Sequence, residues 1–365
     1  MSIKPHKDLR IIIGGGGTGG HLFPALAIGQ YLRDHFGAEV LFAGALGKME
    51  MTRVPELGFE IVGLDIRGFN RSNMLKNLAL PFKILKAVRK AGRMIRDFRP
   101  LVVVGVGGYS SGPVLYAAQQ QKIPTLIQEQ NSFPGITNKM LGKKAATICA
   151  GFEGLEKYFD QRKIVVTGNP VRQSIADNKG KPDAFHDEVN VLVMGGSLGS
   201  RTLNESIIGN LEKLRSAKLK LTWQTGNYYW KEMQERTKGM LNGSIAMMPF
   251  IDNMDEVYQK SDIVVSRAGA LSISELSLLG KPTILVPSPN VAEDHQTKNA
   301  RSLEMKNAAI LITDAEAREK LADAIIALAN DKNKRSELKQ NIAKLGKPDA
   351  TKRIAEEIMR LAKGI

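Results

Sequence analysis

Short apolar runs that end in glycine-rich turns constrain the fold of this chain most. Such a turn follows Arg10–Ile13, Leu101–Val104 and Val191–Met194, and a helical pattern follows each turn. Strand-like runs that alternate with helices predict parallel sheets with helices on both faces. Because the pattern occurs in both halves of the chain, we expect an α/β protein of two doubly wound parallel-sheet domains.

The second half continues the pattern and then ends in helices. Ile263–Val265 and Thr283–Val286 are the next strand-like runs, and helical patterns follow them. The predicted helices of this half are Asn204–Leu214, one ending at Leu279, one beginning near His295, Ala315–Ala329 and Thr351–Ala362. Gly168–Pro170 interrupts secondary structure between the halves, which places the domain boundary after residue 168.

Composition narrows the class of protein. A single cysteine, Cys149, excludes a disulfide framework and a cysteine-rich zinc site. The net charge of +15 suits an acidic partner such as an anionic lipid or a phosphorylated substrate. Aromatic residues make up only 6% and no nucleic-acid-binding motif is present, so we expect no nucleic-acid partner. The sequence shows neither a secretory signal nor a membrane span, which predicts a cytoplasmic location.

The first glycine-rich turn, Gly14–His21, is typical of a phosphate-binding loop. Its glycines allow close approach of the backbone to a pyrophosphate, and the following helix offers N–H groups. The turn also matches the G-x-G-x-x-G pattern of dinucleotide sites, which need an acidic residue at the end of the second strand. Here that strand, Val40–Ala43, ends in Gly44, and Glu39 lies at its other end. The sequence therefore favours a diphosphate over a dinucleotide.

Two further glycine-rich loops are candidates for phosphate binding. Gly105–Gly112 also contains the G-x-S-x-G pattern of hydrolases, centred on Ser110. A hydrolase nucleophile directly follows its strand, whereas Gly105–Tyr109 intervene here, so this alternative is weak. Gly195–Gly199 could hold the phosphates or the base of a nucleotide. The sequence contains no Walker pattern, which disfavours ATP hydrolysis.

Two polar segments follow strands of the second half. Ser266–Glu275 contains a carboxylate suited to the two ribose hydroxyls of a nucleotide, although an early glutamate also commonly caps a helix. Asp294–Asn299 offers amide and hydroxyl groups suited to a sugar, or an ordinary helix start capped by Asp294. Both strand ends are expected to open onto the same crevice, where α/β sheets bind ligands.

The segment Met74–Arg96 mixes apolar residues with lysine and arginine. An apolar patch ringed by cations suits the surface of an anionic bilayer. The alternative is an amphipathic helix that packs on the sheet and exposes a basic face. Periodicity alone favours the packed helix.

Taken together, these motifs resemble the MurG family, the peptidoglycan N-acetylglucosaminyltransferases of bacteria in glycosyltransferase family 28. The matching segments run in order from residue 14 to residue 300. They are GGGTGGH with Phe23–Pro24, GVGGYSSGP, QEQNSFPGITNK, GNPVR, GGSLGS, FID, SRAGALSISE and DHQTKNA. Several members have a histidine before the EQN segment, where this chain has Gln128.

The resemblance implies a GT-B fold, in which two Rossmann-like domains face a central cleft. Residues 1–168 would bind acceptor and membrane, residues 169–349 would bind the UDP-sugar, and a last helix over 350–365 would pack back on the first domain. The implied reaction is inverting transfer from UDP-N-acetylglucosamine to undecaprenyl-diphospho-muramoylpentapeptide (lipid I). Its products are lipid II, for peptidoglycan synthesis and hence cell shape and division, and UDP. No cofactor and no metal are implied.

The resemblance also assigns site residues and a membrane face. Donor contacts are expected from Thr18, Gly19, Gly20, Asn131, Arg172, Ser197, Ile251, Ala270, Leu271, Ser272, Ile273, Ser274, Glu275 and Gln296. The acceptor diphosphate is expected at Gly16, Gly17, Gly107, Gly108 and Tyr109. Because the implied acceptor is anchored in a bilayer, the resemblance favours a membrane-binding role for Met74–Lys90 over the packed helix. We expect this segment to bind the cytoplasmic face of the bacterial inner membrane peripherally.

Two residues are candidates for the general base. His21 is the first, because histidine titrates near neutrality, and Glu129 is the second. Three alternatives for the protein as a whole remain at this point. They are another GT-B UDP-sugar transferase, a UDP-N-acetylglucosamine epimerase, and a non-catalytic protein that binds a phosphorylated ligand.

Overall fold

The computed structural model describes residues 9–68, 80–180, 188–196, 198–291 and 294–364. The chain divides into two compact units, one of residues 1–172 with 349–365 and the other of residues 173–348. Each unit contains a parallel sheet, so the predicted pair of parallel-sheet α/β domains is confirmed. Ser197 and the part of the predicted membrane segment before residue 80 lie outside the described residues.

The first unit has a seven-stranded sheet in the order β3-β2-β1-β4-β5-β6-β7, and its pairings are parallel. The strands are β1 Arg10–Gly15, β2 Glu39–Ala45, β3 Glu60–Leu64, β4 Val102–Gly107, β5 Thr125–Glu129, β6 Thr147–Ala150 and β7 Ile164–Val166. Side chains of β1 alternate between two buried faces, with Ile11 and Ile13 in one core and Ile12 in the other. Burial on both faces explains why this strand is apolar throughout.

Helices cover both faces of this sheet. They are α1 Gly19–Phe36, α2 Glu50–Glu56, α3 Leu80–Phe98, α4 Ser111–Gln120 and α5 Ile136–Gly142, with short 3₁₀ turns at Leu155–Lys157 and Gln161–Lys163. Leu22 of α1 packs in the core with Ile11, whereas Ile95 of α3 packs in the core with Ile12. Helix α1 ends at Gly37, whose φ of 64° lets the backbone turn left-handed after the last residue.

The second unit has a six-stranded parallel sheet in the order β10-β9-β8-β11-β12-β13. Its strands are β8 Val189–Met194, β9 Leu219–Gln224, β10 Ile245–Met248, β11 Ile263–Ser266, β12 Thr283–Leu285 and β13 Ile310–Leu311. Its helices are α6 Gln173–Ala176, α7 Arg201–Ile208, α8 Leu211–Ser216, α9 Trp230–Arg236, α10 Met254–Lys260, α11 Ala270–Leu279, α12 His295–Glu304, α13 Ala317–Asn330 and α14 Lys332–Ala343.

One helix prediction in this unit was wrong in detail, and several helices, among them α14, were not predicted. The single helix expected over Asn204–Leu214 is two helices, α7 and α8, separated at Gly209. The Asn210 side chain donates to Ser206 O at 2.9 Å and so satisfies a carbonyl at the break. Helix α14 was not predicted, because it buries only Leu338 and Ile342 and lacks a clear apolar face.

The last helix, α15 Ala350–Ala362, belongs to the first unit. Ile354, Ala355 and Ile358 lie in the same core as β1 and α1. Arg353 donates to Val166 O at 2.9 Å, and Arg360 Nη2 donates to Thr147 Oγ1 at 3.0 Å. In the described part of the chain, none of the helices is both long enough and apolar enough to cross a membrane.

Candidate active site: glycine-rich loops at the sheet switch points

Each sheet has one point at which strand order changes direction, and glycine-rich loops flank both points. In the first unit this point lies between β1 and β4, and in the second unit between β8 and β11. Open α/β sheets bind ligands outside the carboxyl ends of the strands at such points. The loops singled out by sequence therefore occupy the position in each unit where a ligand is expected.

The two loops of the first unit pack backbone against backbone. Gly107 and Gly108 have φ values of 93° and 82°, and a Cβ atom on Gly108 would collide with Gly16 O. The Tyr109 ring lies against Gly17 and is half exposed. The structure thus brings together the five residues predicted to bind the acceptor diphosphate. Thr18 is the N-cap of α1, so Gly19 and Gly20 provide N–H groups at the positive end of the helix dipole.

His21 is held in a defined orientation in the first turn of α1. Its Nδ1 lies 3.2 Å from Val106 O and 3.3 Å from Gln130 Oε1. Both neighbours are carbonyl oxygens, which only accept hydrogen bonds, so Nδ1 carries the proton in the neutral ring. Nε2 is then the basic nitrogen, as a general base requires. Gln130 is fixed in turn, because its Nε2 donates to Val106 O at 2.7 Å.

Glu129 is the last residue of β5 and is buried. Its Oε2 accepts from Asn138 Nδ2 at 2.7 Å, and its Oε1 accepts from Asn131 N at 3.0 Å and Asn131 Nδ2 at 3.3 Å. Burial raises the pKa of this carboxyl, while the hydrogen bonds from the two asparagines act in the opposite direction. Both oxygens are therefore used to hold neighbouring side chains, which suits positioning of Asn131 better than proton transfer.

Gln128, the residue before Glu129 on β5, is part of a buried amide network. Gln128 Nε2 donates to Asn169 Oδ1 at 2.9 Å, and Gln128 Oε1 accepts from Gln130 Nε2. Asn169 Nδ2 donates to Gln130 O at 2.9 Å. Gln128 has no exposed surface, so it acts through its neighbours. The network links the Gly168–Pro170 segment to the residues that hold His21.

In the second unit, Glu275 lies on α11 directly beyond the loop that follows β11. It is the sixth residue of a helix whose N-cap is Gly269, too far along to serve as a capping-box glutamate. Its Oε2 accepts a hydrogen bond of 3.1 Å from Tyr258 Oη, and both side chains are buried. The structure therefore disfavours the capping alternative and leaves a fixed carboxylate near the strand ends.

The loop before α11 is anchored by an ion pair. Arg267 Nη1 donates to Asp314 Oδ1 at 2.5 Å and to Val286 O and Pro287 O at 3.0 and 3.1 Å. Thr202 Oγ1 donates to the other oxygen of Asp314 at 3.0 Å. These bonds join the loops after β11 and β12 to α7, so the predicted donor loop is held on a rigid base.

Gln296 lies in the first turn of α12 and is tied to the loop after β12. Its Oε1 accepts from Ser288 N at 2.8 Å, which leaves the amide NH₂ group as the chemical handle for a sugar hydroxyl. Asp294, the N-cap residue, makes no side-chain capping hydrogen bond and accepts from Thr297 Oγ1 at 2.7 Å instead. The alternative of an ordinary helix start capped by Asp294 is therefore not observed.

The remaining predicted residues fall in both units. Ile251 is buried in the second unit, and Ala270, Leu271, Ser272, Ile273 and Ser274 form the first turns of α11. Arg172 is exposed and is the last residue of the first unit before α6. In the described part of the chain, no group of three or more His, Cys, Asp or Glu side chains is arranged to hold a metal ion. Ser110 is completely buried, unlike the exposed nucleophile of a hydrolase.

Sequence reasoning did not single out several residues that hold these loops. They include Asn138, Tyr258, Arg267 and Glu50, which accepts a hydrogen bond from Gly17 N. Arg267 lies in the motif SRAGALSISE and Asn138 in QEQNSFPGITNK, so these motifs could have drawn attention to both residues. Glu50 and Tyr258 lie outside every motif, and their roles depend on packing between elements that are distant in sequence.

Comparison with known proteins assigns both units of the chain to one family of glycosyltransferases. The glycosyltransferase family 28 N-terminal domain matches residues 11–150, and the family 28 C-terminal domain matches residues 190–354. A protein of Parabacteroides distasonis is 47% identical over 97% of this chain and 99% of its own length. That relative is named UDP-N-acetylglucosamine–N-acetylmuramyl-(pentapeptide) pyrophosphoryl-undecaprenol N-acetylglucosamine transferase.

Solved structures agree with the sequence relatives. The crystal structure of MurG from Acinetobacter baumannii aligns with a TM-score of 0.80 at 29% identity, covering 96% of this chain and 99% of that one. A putative UDP-N-acetylglucosamine 2-epimerase from Listeria monocytogenes aligns with a TM-score of 0.69 at 15% identity over 97% of this chain and 96% of its own, a likeness of fold alone. The resemblance found in the motifs is confirmed, and the chain belongs to glycosyltransferase family 28, among the N-acetylglucosamine transferases of the MurG type.

Proposed function

We propose that this protein transfers N-acetylglucosamine from UDP-N-acetylglucosamine to lipid I, giving lipid II and UDP for peptidoglycan synthesis. The observation that carries the proposal is 47% sequence identity, over 97% of this chain, to a relative whose name states this donor and this acceptor. Glycine-rich loops at both switch points support it, because a diphosphate occurs in the donor and in the acceptor. Epimerases share the fold but resemble this chain far less in sequence.

In this proposal the second unit binds the donor. Glu275 accepts hydrogen bonds from the ribose hydroxyls, and Tyr258 fixes the carboxylate for that purpose. The N–H groups at the start of α11 bind the diphosphate, where the helix dipole favours negative charge. Ile251 contacts uracil through its backbone, and the Gln296 amide donates to a sugar hydroxyl. Ser197 and, from the end of the first unit, Arg172 contact the diphosphate or uridine.

The first unit supplies the chemistry. An acceptor hydroxyl attacks the anomeric carbon, the bond from that carbon to the UDP oxygen breaks, and its electron pair leaves with UDP. His21 Nε2 takes the hydroxyl proton, since Nδ1 is held against Val106 O. Glu129 positions Asn131 beside the donor sugar, together with Thr18, Gly19 and Gly20. Attack from the face opposite UDP inverts the anomeric centre.

Charge on the departing UDP must be stabilised as it develops. The N–H groups of α11 and the Arg172 guanidinium would provide this without a metal ion. The acceptor diphosphate would lie against the packed loops of the first unit, at Gly16, Gly17, Gly107, Gly108 and Tyr109. The N–H groups at the start of α1, next to these loops, are preorganised donors that stabilise negative charge without reorganisation.

The membrane face in this proposal is the start of α3. Phe82 and Leu85 are 77% and 47% exposed, and with Lys86 and Arg89 they follow the i, i+3, i+4, i+7 spacing of one helix face. The opposite face packs in the core through Ala87, Ala91 and Ile95. An exposed face that combines apolar and cationic side chains suits peripheral binding to an anionic bilayer, and in this proposal it binds the cytoplasmic face of the membrane.

Acceptor-dependent release of UDP tests the proposal. UDP-N-acetylglucosamine is incubated with the protein in the presence and in the absence of a lipid I analogue, and UDP is measured. A transferase releases UDP rapidly only with the acceptor. Release that does not depend on the acceptor would favour a hydrolase or an epimerase that also hydrolyses the UDP-sugar. If no UDP is released, NMR of the recovered donor decides: an epimerised UDP-sugar would favour an epimerase, and unchanged donor would favour a binding protein.

A further inference from the structure

A carboxylate that no motif includes lies beneath the first glycine-rich loop. Glu50 is the first residue of α2, and its side chain is completely buried. Its Oε1 accepts hydrogen bonds from Gly17 N at 2.9 Å and from Ala45 N at 3.0 Å. Since Ala45 ends β2, a single oxygen atom joins the loop after β1 to the end of the neighbouring strand.

The conformation of the loop depends on this side chain. A Cβ atom on Gly16 would collide with the Glu50 carboxylate, and one on Gly44 would collide with Glu50 Cγ. On the opposite side, Gly108 packs so closely that its own Cβ atom would collide with Gly16 O. Gly16 therefore occupies a slot between Glu50 and the second loop, and the backbone of the first loop is fixed from both sides.

The second oxygen of Glu50 has a different environment. Oε2 is buried and accepts no hydrogen bond from the described residues. Burying a carboxyl group with one oxygen unpaired costs free energy that an apolar side chain of similar size would not cost. A role beyond filling space explains why an acid occupies this position.

We infer that Glu50 is a positioning residue, which holds the first glycine-rich loop so that the first turn of α1 and His21 face the acceptor. The inference rests on the proposed function. Because Glu50 takes the Gly17 N–H, an anion at this loop is left to the N–H groups at the start of α1, including those of Gly19 and Gly20. Glu50 itself is buried and acts only through the loop.

Two substitutions separate this role from simple packing. In Glu50→Gln the amide oxygen can replace Oε1 and accept both N–H groups, so the loop should keep its conformation. In Glu50→Met the volume is filled but the acceptor is lost. Glu56→Met, at an exposed position at the end of the same helix, is the matched control. Steady-state kinetics with varied lipid I analogue, calorimetric binding of UDP-N-acetylglucosamine, and hydrogen exchange of residues 14–22 are measured for each.

The expected pattern is specific. Glu50→Met lowers kcat/KM for the acceptor by about tenfold to 10²-fold, since small displacements of reacting groups have effects of this size. It leaves donor affinity unchanged and accelerates exchange in residues 14–22, whereas Glu50→Gln and Glu56→Met behave like the unsubstituted protein. Wild-type kinetics in Glu50→Met, or equal impairment of Glu50→Met and Glu50→Gln, would overturn the inference. If the unsubstituted protein makes no product, the proposed function fails, and the hydrogen-exchange comparison still decides the role of Glu50 in the loop.

Discussion

Tyr258 Oη donates a hydrogen bond of 3.1 Å to Glu275 Oε2 inside the second unit, and both side chains are buried. This bond joins α10 to the second turn of α11 and fixes the orientation of the Glu275 carboxylate. A carboxylate held in this way can accept hydrogen bonds from ribose with little loss of side-chain entropy. The donor affinity should therefore depend on both residues, and on Glu275 more strongly.

Substitution of Glu275 tests the donor site. Glu275→Ala should weaken UDP-N-acetylglucosamine binding by about 1.5–3 kcal/mol, the value of a charge-assisted hydrogen bond. Tyr258→Phe keeps the ring and removes only the hydroxyl, so it should weaken binding by a smaller amount. Calorimetric titration gives both affinities, and thermal unfolding gives both stabilities. Unchanged affinity combined with a lower Tm in Glu275→Ala would assign Glu275 a purely structural role.

Substitution of His21 tests the general base. His21→Ala should lower kcat by roughly 10²–10⁴ while leaving donor affinity unchanged, because a general base acts in the chemical step. His35→Ala is the matched control, since His35 lies on the same helix at an exposed position near its other end. Turnover is measured with a soluble acceptor. A variant that retains full kcat would remove His21 from the mechanism.

Burial of Glu129 has a consequence for stability as a function of pH. Because burial raises the pKa of its carboxyl in the folded state, folding favours the protonated form. The contribution of Glu129 to stability is then complete below the pKa of the unfolded chain and is lost as pH rises through the folded pKa. Glu129→Gln does not titrate, so the Tm of the unsubstituted protein should fall relative to that of the variant as pH rises above the glutamate pKa of the unfolded chain, about 4.3.

The control for this comparison is Glu156→Gln, an exposed substitution in the same unit. Scanning calorimetry at several pH values gives the Tm differences. A difference that stays constant with pH, or that changes in the opposite direction, would mean that the hydrogen bonds from Asn131 and Asn138 outweigh the effect of burial.

Substitution of the cations on the exposed face at the start of α3 tests binding to membranes. Lys86→Glu with Arg89→Glu should weaken binding to anionic liposomes by about 2 kcal/mol or more, at about 1 kcal/mol for each cation lost, and the effect should shrink as salt rises. Activity on a long-chain acceptor should fall with it, while activity on a short soluble acceptor should be retained. Lys332→Glu with Lys339→Glu, on exposed positions of α14, changes the charge equally in the other unit. Equal loss of activity on both acceptors would make this face structural.

Two lysines of the same helix, Lys83 and Lys90, form bonds within the protein and were not chosen for the membrane experiment. Lys83 forms an ion pair of 2.7 Å with Asp65, and Lys90 Nζ donates to Gly63 O at 2.7 Å. The hydrogen bond from Lys83 lowers the pKa of the Asp65 carboxyl. These two lysines are therefore engaged within the protein, and the choice of Lys86 and Arg89 for the membrane experiment depends on the structure.

The sequence predicted the parts of the fold that local patterns control. Strand runs such as Arg10–Ile13 are apolar throughout because both faces of the sheet are covered, and glycine-rich turns mark the strand ends. Helix α14 escaped prediction because most of its surface is polar, although Asp331 accepts from Lys334 N at 2.8 Å as an N-cap. Local patterns cannot identify an element that is stabilised by a few tertiary contacts.

The same limit applies to the candidate site. His21 and Glu275 lie in motifs, so sequence alone predicted them. The residues that hold the site were not predicted, because Glu50 is 33 residues from Gly17 and Tyr258 lies on a different helix from Glu275. Glu129 was predicted as a second base candidate, and only its burial and its hydrogen bonds to asparagines favour a positioning role.

Identification of the reaction product tests the central claim most directly. The protein is incubated with UDP-N-acetylglucosamine that carries an isotopic label in the sugar, together with a lipid I analogue, and the products are analysed by mass spectrometry and NMR. The account predicts stoichiometric UDP and a labelled, lipid-linked disaccharide with a β linkage. A labelled free or epimerised sugar, or no labelled lipid-linked product, would contradict it.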